Sequence, residues 1–265
     1  MANLLIREDN RFMCVLALAW RAHPRWHLVL AGNRDEYHAR PARELGPWPE
    51  EGQIIAGRDL VSGGTWLGVS ETGRLAVVTN LRGYGAPDPQ KLSRGSLVSD
   101  WLAADGASSV LTREDPASFN PFNLIVSDRE GVQFLTNRPA SLHTRLAHGI
   151  YGLSNGLLDE PWPKTMRLKE RLLDWLIEDR APMAALFEAL REEDVPDMGL
   201  PAGGPSDIPN EPMLSSIFLR DPVYGTRCST IVAVDHTGKG VIIERRYGPD
   251  AGMLGTVQYE FRWGL

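Results

Sequence analysis

"MCVLALAWRAHPRWHLVLAGNRDEYHARP" (residues 13–41) holds two short apolar runs followed by a block of charge. The runs, 14–20 and 27–32, are rich in Val, Leu and Ala and bounded by polar or turn-forming residues, so both read as strands. The second leads straight into Asn33, Arg34, Asp35 and Glu36. Taken alone, Arg34-Asp35-Glu36 reads as the solvated end of a strand. Cys14 alone reads as a small buried apolar residue. Together they raise a chemical question, because a cation near a thiol favours the thiolate, the form that attacks.

Strand signals continue along the chain at 65–69, 75–79, 123–127, 132–136, 150–153, 230–234, 241–244 and 256–262. Residues 69–80 ("VSETGRLAVVTN") and 126–137 ("VSDREGVQFLTN") share one plan: strand, polar turn with Gly, strand, Thr-Asn. Residues 234–246 look like a third hairpin. Helical patterns are fewer. Residues 93–105 place Leu97, Trp101 and Leu102 on one face, and residues 162–180 space Met166, Leu172, Leu173, Leu176 and Ile177 at helical intervals. Residues 182–190 suggest a second helix folded back on that one. The stretch 195–213 carries five prolines and three glycines and reads as a long loop, a feature often used as a lid. Strand pairs on both sides of a helical pair point to an α+β layered domain with mostly antiparallel sheets, leaving one or two sheets open.

The chain has 265 residues, 43% apolar and 23% charged, ordinary for a globular protein. A net charge of −6 argues against a general nucleic-acid partner. The two cysteines, Cys14 and Cys228, are too few for a disulfide scaffold and suit a reducing compartment. Cys228 reads as a buried strand residue, and Trp66 as core rather than a substrate platform. Residues 1–12 lack the apolar core of a secretory signal, and the seven-residue run 14–20 is too short to span a bilayer. A cytoplasmic location without a membrane span is therefore expected. The six histidines form no obvious ligand cluster in the sequence, and no metal-spaced Cys/His group occurs. No metal or cofactor is expected.

A free cysteine titrates at about 8.5, so only a few per cent is thiolate at neutral pH. If Cys14 were the first residue of the mature chain, its own α-amine, with a pKa of roughly 7.7–8.0, would supply the base. Met13 shows how this could arise: initiation there, followed by methionine removal, leaves Cys14 first. Residues 1–12 are then expected to be a leader or a misassigned start, and 13–265 a single domain.

The quoted stretch closely resembles the start of the NRDE family, also called the transport and Golgi organisation protein 2 family, named for the Asn-Arg-Asp-Glu block. Further matches are "IIAGRDLVSGGTWLGVSETGRLAVVTNLRG" (54–83), "YGLSNGLLDEPWPKT" (151–165) and "LSSIFLRDPVYGTRCSTIVAV" (214–234). The resemblance implies an N-terminal-nucleophile (Ntn) hydrolase-like αββα sandwich. It also implies a site. Cysteine members of that superfamily use an N-terminal Cys, an Arg-Asp pair about twenty residues on, two Asn and a later Arg. Here Arg34 and Asp35 lie twenty and twenty-one positions after Cys14, Asn80 ends "LAVVTN", Asn155 sits in "YGLSNG" and Arg227 in "YGTRCST". The resemblance implies that Cys14 attacks an acyl carbonyl, Asp35 orients its amine, and Arg34 favours thiolate and fixes Asp35. Asn80 and Asn155 would donate to the oxyanion, and Arg227 would neutralise a carboxylate or hold an anionic substrate end. The implied reaction is hydrolysis or acyl transfer on a small nonpeptide amide or acyl compound. The alternative it carries is a non-catalytic haem or lipid binding and trafficking protein on the same fold.

Overall fold

The computed structural model describes residues 14–49, 53–103, 115–178, 182–200, 204, 205, 207 and 211–264. In a strand, successive side chains leave on opposite faces. The run "LALAW" (16–20) obeys this strictly: Leu16 and Leu18 enter one core, while Ala17 and Ala19 enter another. These residues form β1 (Val15–Trp20). With β2 (Trp26–Tyr37), β10 (Gly149–Leu153), β11 (Tyr224–Asp235), β12 (Lys239–Tyr247) and β13 (Met253–Arg262) they build a six-stranded sheet in the order β10-β1-β2-β11-β12-β13. A second sheet has seven strands in chain order: β3 (Ala42–Pro47), β4 (Ile54–Asp59), β5 (Leu67–Ser70), β6 (Arg74–Asn80), β7 (Phe122–Asp128), β8 (Gly131–Thr136) and β9 (Leu142–Arg145). Every ladder in both sheets is antiparallel.

The leucines of the first sheet, Leu16, Leu18, Leu28 and Leu30, meet Leu67, Val69, Leu75 and Val77 of the second, so the sheets stack face to face. On the outer face of the first sheet, the small Ala17, Ala19, Ala31 and Ala233 leave room for Leu168, Leu172, Trp175 and Leu176. These come from α2 (Pro163–Ile177), beside α3 (Met183–Ala189). On the outer face of the second sheet, α1 (Arg94–Ala103) presents Leu97, Val98, Trp101 and Leu102 to Ile54, Ala56, Ala76 and Leu124. The layers run helix, sheet, sheet, helix, which is the expected αββα arrangement. Among the described residues no helix is long and apolar enough to cross a membrane.

The structure departs from the sequence reading in four places. Strands β3, β4 and β9 carry no strong apolar run. Two of them, β3 and β9, are sheet edges with mostly exposed side chains, which suppresses the alternation that marks a strand. The buried stripe of α2 is Leu168, Leu172, Trp175 and Leu176, whereas Leu173 and Ile177 are 44% and 73% exposed. Sheet contact is made on one side of that helix, and these two residues fall off it. Arg34, Asp35 and Glu36 are not a strand end: β11 continues to pair with β2 as far as Tyr224 opposite Tyr37. The Pro/Gly-rich stretch is a loop at its described residues up to 207, as read, but it is tied down and its end is helical. Asp207 accepts from the N–H groups of Gly83 and Gly85 (2.8 and 3.1 Å), Gly204 N–H donates to Glu160 (2.8 Å), and its last residues form α4 (Glu211–Leu214).

Asn33 clasps the layers together. Its Nδ2 donates to the carbonyls of Leu190 and Ile217, both at 2.8 Å, and its Oδ1 accepts from Ser229 Oγ at 2.6 Å, all buried. Removing it leaves two carbonyls and a hydroxyl without that partner. Asn33→Ala is expected to lower unfolding free energy by about 2–4 kcal/mol in urea titrations; a loss below about 0.5 kcal/mol would contradict the clasp.

Candidate active site

Cys14 sits immediately before β1 and shares the parity of Leu16 and Leu18, so it belongs to the inter-sheet side. It opens a cleft whose walls are largely apolar: Val15, Leu16 and Gly32 from the first sheet, and Trp66, Leu67 and Val77 from the second. Gly32 is required here, since a Cβ would lie 2.9 Å from Leu16 Cβ and 3.0 Å from the Val15 carbonyl oxygen. The thiol lies against the backbone of Asp35. Asp35 N–H donates to Cys14 Sγ at 3.4 Å, and the Asp35 carbonyl lies 3.9 Å from the same sulfur. That carbonyl also accepts from Tyr224 Oη at 3.0 Å. Residues 1–13, and with them Met13, lie outside the described residues.

Arg34 is the next inter-sheet side chain after Gly32. It is 8% exposed and lies over the Trp66 ring, 4.3 Å from its centroid. Trp66 in turn lies against Gly57, where a Cβ would fall 2.3 Å from its ring. Trp66 therefore packs against the inter-sheet core, as expected of it, and also walls the Cys14 cleft. Among the described residues, the ion-pair partners of Arg34 are Glu36 and Asp59, each at 3.4 Å, rather than Asp35. This corrects the expectation that Arg34 fixes Asp35: adjacent residues on a strand point to opposite faces. Asp59 is the anchor of this side. It accepts from Arg40 Nε at 2.6 Å and from the N–H groups of Val61 and Ser62 (2.9 and 3.1 Å). Burial pushes its carboxyl up, but those bonds prevail and hold it below the usual range.

Asp35 faces the helix layer, where its Oδ1 accepts from Thr226 Oγ1 at 2.6 Å. Burial raises its pKa, opposed by Lys164, Thr226 and Arg34. Burial, followed by the Asp35 charge, pushes the Cys14 thiol up to about 11, against the pull of the Asp35 N–H, Arg34 and Lys164. Arg34 therefore does not make this peptide-bonded thiol a resting thiolate.

Asn155 is buried beside Cys14. The neighbouring Ser154 Oγ donates to the Cys14 carbonyl at 2.8 Å, and Asn155 Nδ2 donates to the Asn80 carbonyl at 2.7 Å. Asn80 itself is exposed at the end of β6. The two asparagines thus meet each other, and Thr79, next to Asn80, lines the cleft. Arg227 does not join them. Its Nη1 donates to the carbonyls of Tyr37 and Arg40 (2.7 and 2.9 Å), and it lines a separate cavity with Arg43, Glu44, Glu244 and Arg246, divided from the Cys14 cleft by Arg34 and Trp66. Cys228 is buried in β11, as expected, and both cysteines are free thiols.

Three neighbours of the site have no role implied by the motifs, although Lys164 and Tyr224 fall inside the matched stretches 151–165 and 214–234. Lys164, at the start of α2, is fully buried and acts electrostatically on both Asp35 and Cys14. Arg94 opens α1 and is lowered by burial to about 10, with Cys14 and Glu36 as opposing charges. Tyr224 is raised well above 10 by burial, then by Cys14 and Asp35. Each lies far from Cys14 in sequence, and only the fold brings it in. The histidines also gather: His27 stacks edge-on to Trp20 and His236, and Trp20 to His148. Even so, among the described residues no group of three His, Cys, Asp or Glu is placed to hold a metal ion.

A family profile described as Transport and Golgi organisation 2 matches residues 13–249. The Transport and Golgi organization protein 2 homolog of Bos taurus is 34% identical over 278 residues, covering 94% of this chain and 99% of the relative. The Homo sapiens homolog is 33% identical over 277 residues with the same coverage, and the Drosophila melanogaster protein 27% over 260 residues, 88% and 91% of the two chains. Among solved structures, a Caenorhabditis elegans N-acylethanolamine-hydrolyzing acid amidase ortholog overlaps with a TM-score of 0.45 at 13% identity, covering 82% of this chain and 92% of that one. A conjugated bile acid hydrolase from Clostridium perfringens gives 0.46 at 11%, with 96% and 99% covered.

A thiol with a pKa near 11 is thiolate about once in ten thousand molecules at pH 7. In protein retaining Met13, alkylation of Cys14 is expected to rise about tenfold per pH unit from pH 7 to 10, with buried Cys228 lagging. Peptide mapping after timed labelling reads both; a plateau near pH 8, or equal labelling of Cys228, would contradict this electrostatic picture.

Proposed function

The chain belongs to the Transport and Golgi organisation 2 family, and from that membership and the setting of Cys14 we propose that it is a cysteine hydrolase or acyl transferase of the Ntn type. Its substrate is a small nonpeptide amide or related acyl compound. The observation that carries this reading is the position of one thiol at the mouth of an apolar inter-sheet cleft, held by a backbone N–H at 3.4 Å and flanked by Arg34. An acyl group whose carbonyl carbon meets sulfur would have to widen this cleft, whose free volume at rest is about 20 Å³, room for roughly one water.

In this reading 13–265 is one unit, and removal of Met13 leaves the active chain starting at Cys14. The free α-amine takes the thiol proton, which overcomes the burial that keeps the thiol neutral. Sulfur then bonds to the acyl carbon, and the carbonyl electrons move onto oxygen. Asn155 and Asn80 supply amide donors to that oxyanion. Collapse breaks the bond to the leaving group, which departs with the proton held by the amine. Water, or an acceptor amine or alcohol, attacks the thioester and regenerates the thiol. Asp35 orients the amine, Arg34 sets the charge beside sulfur, and Arg227 braces the turn after β2 from the far side of the Arg34–Trp66 stack. Two free thiols are maintained in a reducing compartment, which supports a cytoplasmic location.

The test uses two preparations, one beginning at Cys14 and one retaining Met13, against a panel of chromogenic N-acyl amides and esters. The first is expected to release a burst of leaving group and to gain the acyl mass on Cys14. Cys14→Ala should abolish turnover, at least about 10³-fold, and Asn155→Ala should slow it about 10²–10³-fold. Equal activity of both preparations, or turnover that survives Cys14→Ala, would overturn the reading.

A further inference from the structure

Alternation along β2 sends Asp35 into the layer between the first sheet and α2, where a carboxylate without a counter-charge is costly. Thr226 supplies one hydroxyl at 2.6 Å. Lys164 enters the same layer from the opposite side. It is the second residue of α2, its side chain is 0% exposed, and its ammonium lies 5.8 Å from the Trp162 ring centroid. Lysine is almost never buried to this degree unless it is paired.

We propose that Lys164 is the buried counter-charge of Asp35, and that the two form a positioning pair that holds the backbone of Asp35 against the Cys14 thiol. The pairing stands on the fold; its catalytic consequence rests on the nucleophile reading above. On its own face Asp35 meets Thr226 on β11 and Lys164 on α2; the Cys14 sulfur lies at its backbone, and Arg34 and Glu36 act on it from the opposite face of β2. Among the influences that oppose the burial of Asp35, Lys164 is the largest. Through the Asp35 N–H at 3.4 Å and carbonyl at 3.9 Å, any shift of Asp35 passes directly to sulfur.

A double-mutant cycle tests the pair without any substrate, so its failure is distinct from failure of the nucleophile reading. Lys164→Met, Asp35→Asn and the double variant are compared by urea unfolding at pH 7. Lys164→Met alone leaves a buried carboxylate unpaired and should be the least stable. In the double variant the combined loss should fall short of the sum of the single losses by at least tenfold in the unfolding constant. Additive losses would overturn the pair. If Lys164→Met does not fold, the double variant decides: stability matching Asp35→Asn supports the pair, and failure to fold overturns it. A second readout is carboxyl NMR of protein labelled with ¹³C-aspartate. The Asp35 midpoint should rise by a unit or more in Lys164→Met and stay in place in Lys164→Arg. A midpoint unmoved in Lys164→Met would overturn the proposal, and a merely structural lysine would give that result.

Discussion

The site depends on the period of two in β2. Gly32, Asn33, Arg34 and Asp35 are consecutive, yet each does a different job because the strand turns alternate side chains to opposite faces. Gly32 and Arg34 look into the inter-sheet cleft, where one makes room and the other brings charge beside the thiol. Asn33 and Asp35 look into the helix layer, where one clasps α3 and its following loop to the sheet and the other sits with Thr226 and Lys164. A register slip of one residue would exchange the two sets. The pairing of β2 with β1 on one side and β11 on the other prevents it, with leucines and alanines sorted between two cores of different depth.

Burial sets the chemistry of the thiol. Cys14 is only partly buried, yet it does not lean toward thiolate as a cysteine near an arginine otherwise would, because desolvation and the Asp35 charge outweigh Arg34 and Lys164. The reactivity of the site is therefore governed by what stands on the nitrogen of Cys14. A peptide bond leaves the thiol neutral, and a free amine gives it a base within the same residue. The arginine stacked on Trp66 plays a double part, as cation beside sulfur and as the partition between the Cys14 cleft and the cavity lined by Arg227 and Arg246.

Much of this architecture was legible in the chain. Every strand run except β3, β4 and β9, the three longer helices and the Cys14–Arg34–Asp35 spacing follow from apolar pattern and motif. What escaped has physical reasons. Edge strands β3 and β9 bury too little to carry an alternating signal. The stripe of α2 depends on which side meets the sheet, which periodicity leaves open. Asn80 and Asn137 end hairpins of the same plan, yet Asn137 is a loop brace that donates to the carbonyls of Pro116 and Phe119, whereas the Asn80 carbonyl holds Asn155. Lys164, Arg94 and Asp59 join the site through pairing between distant segments; Lys164 and Asp59 sit in matched stretches, but no pattern within those stretches gives them a role. Arg227 matched its motif in sequence, but the bulge between Thr226 and Cys228 and its bonds to Tyr37 and Arg40 place it across the Arg34–Trp66 partition.

The central claim is geometric: Cys14 opens into the cleft between the sheets, beside Arg34, and Asp35 lies behind it in the helix layer. A crystal structure of the chain beginning at Cys14, trapped with an acyl-mimicking electrophile, tests this most directly. The account predicts a covalent bond to Cys14 Sγ, with the acyl portion lying among Leu16, Leu67 and Val77 and the Asp35 carboxylate on the opposite face of the sheet. An adduct on Cys228, or one directed from Cys14 into the helix layer beside Asp35, would contradict it.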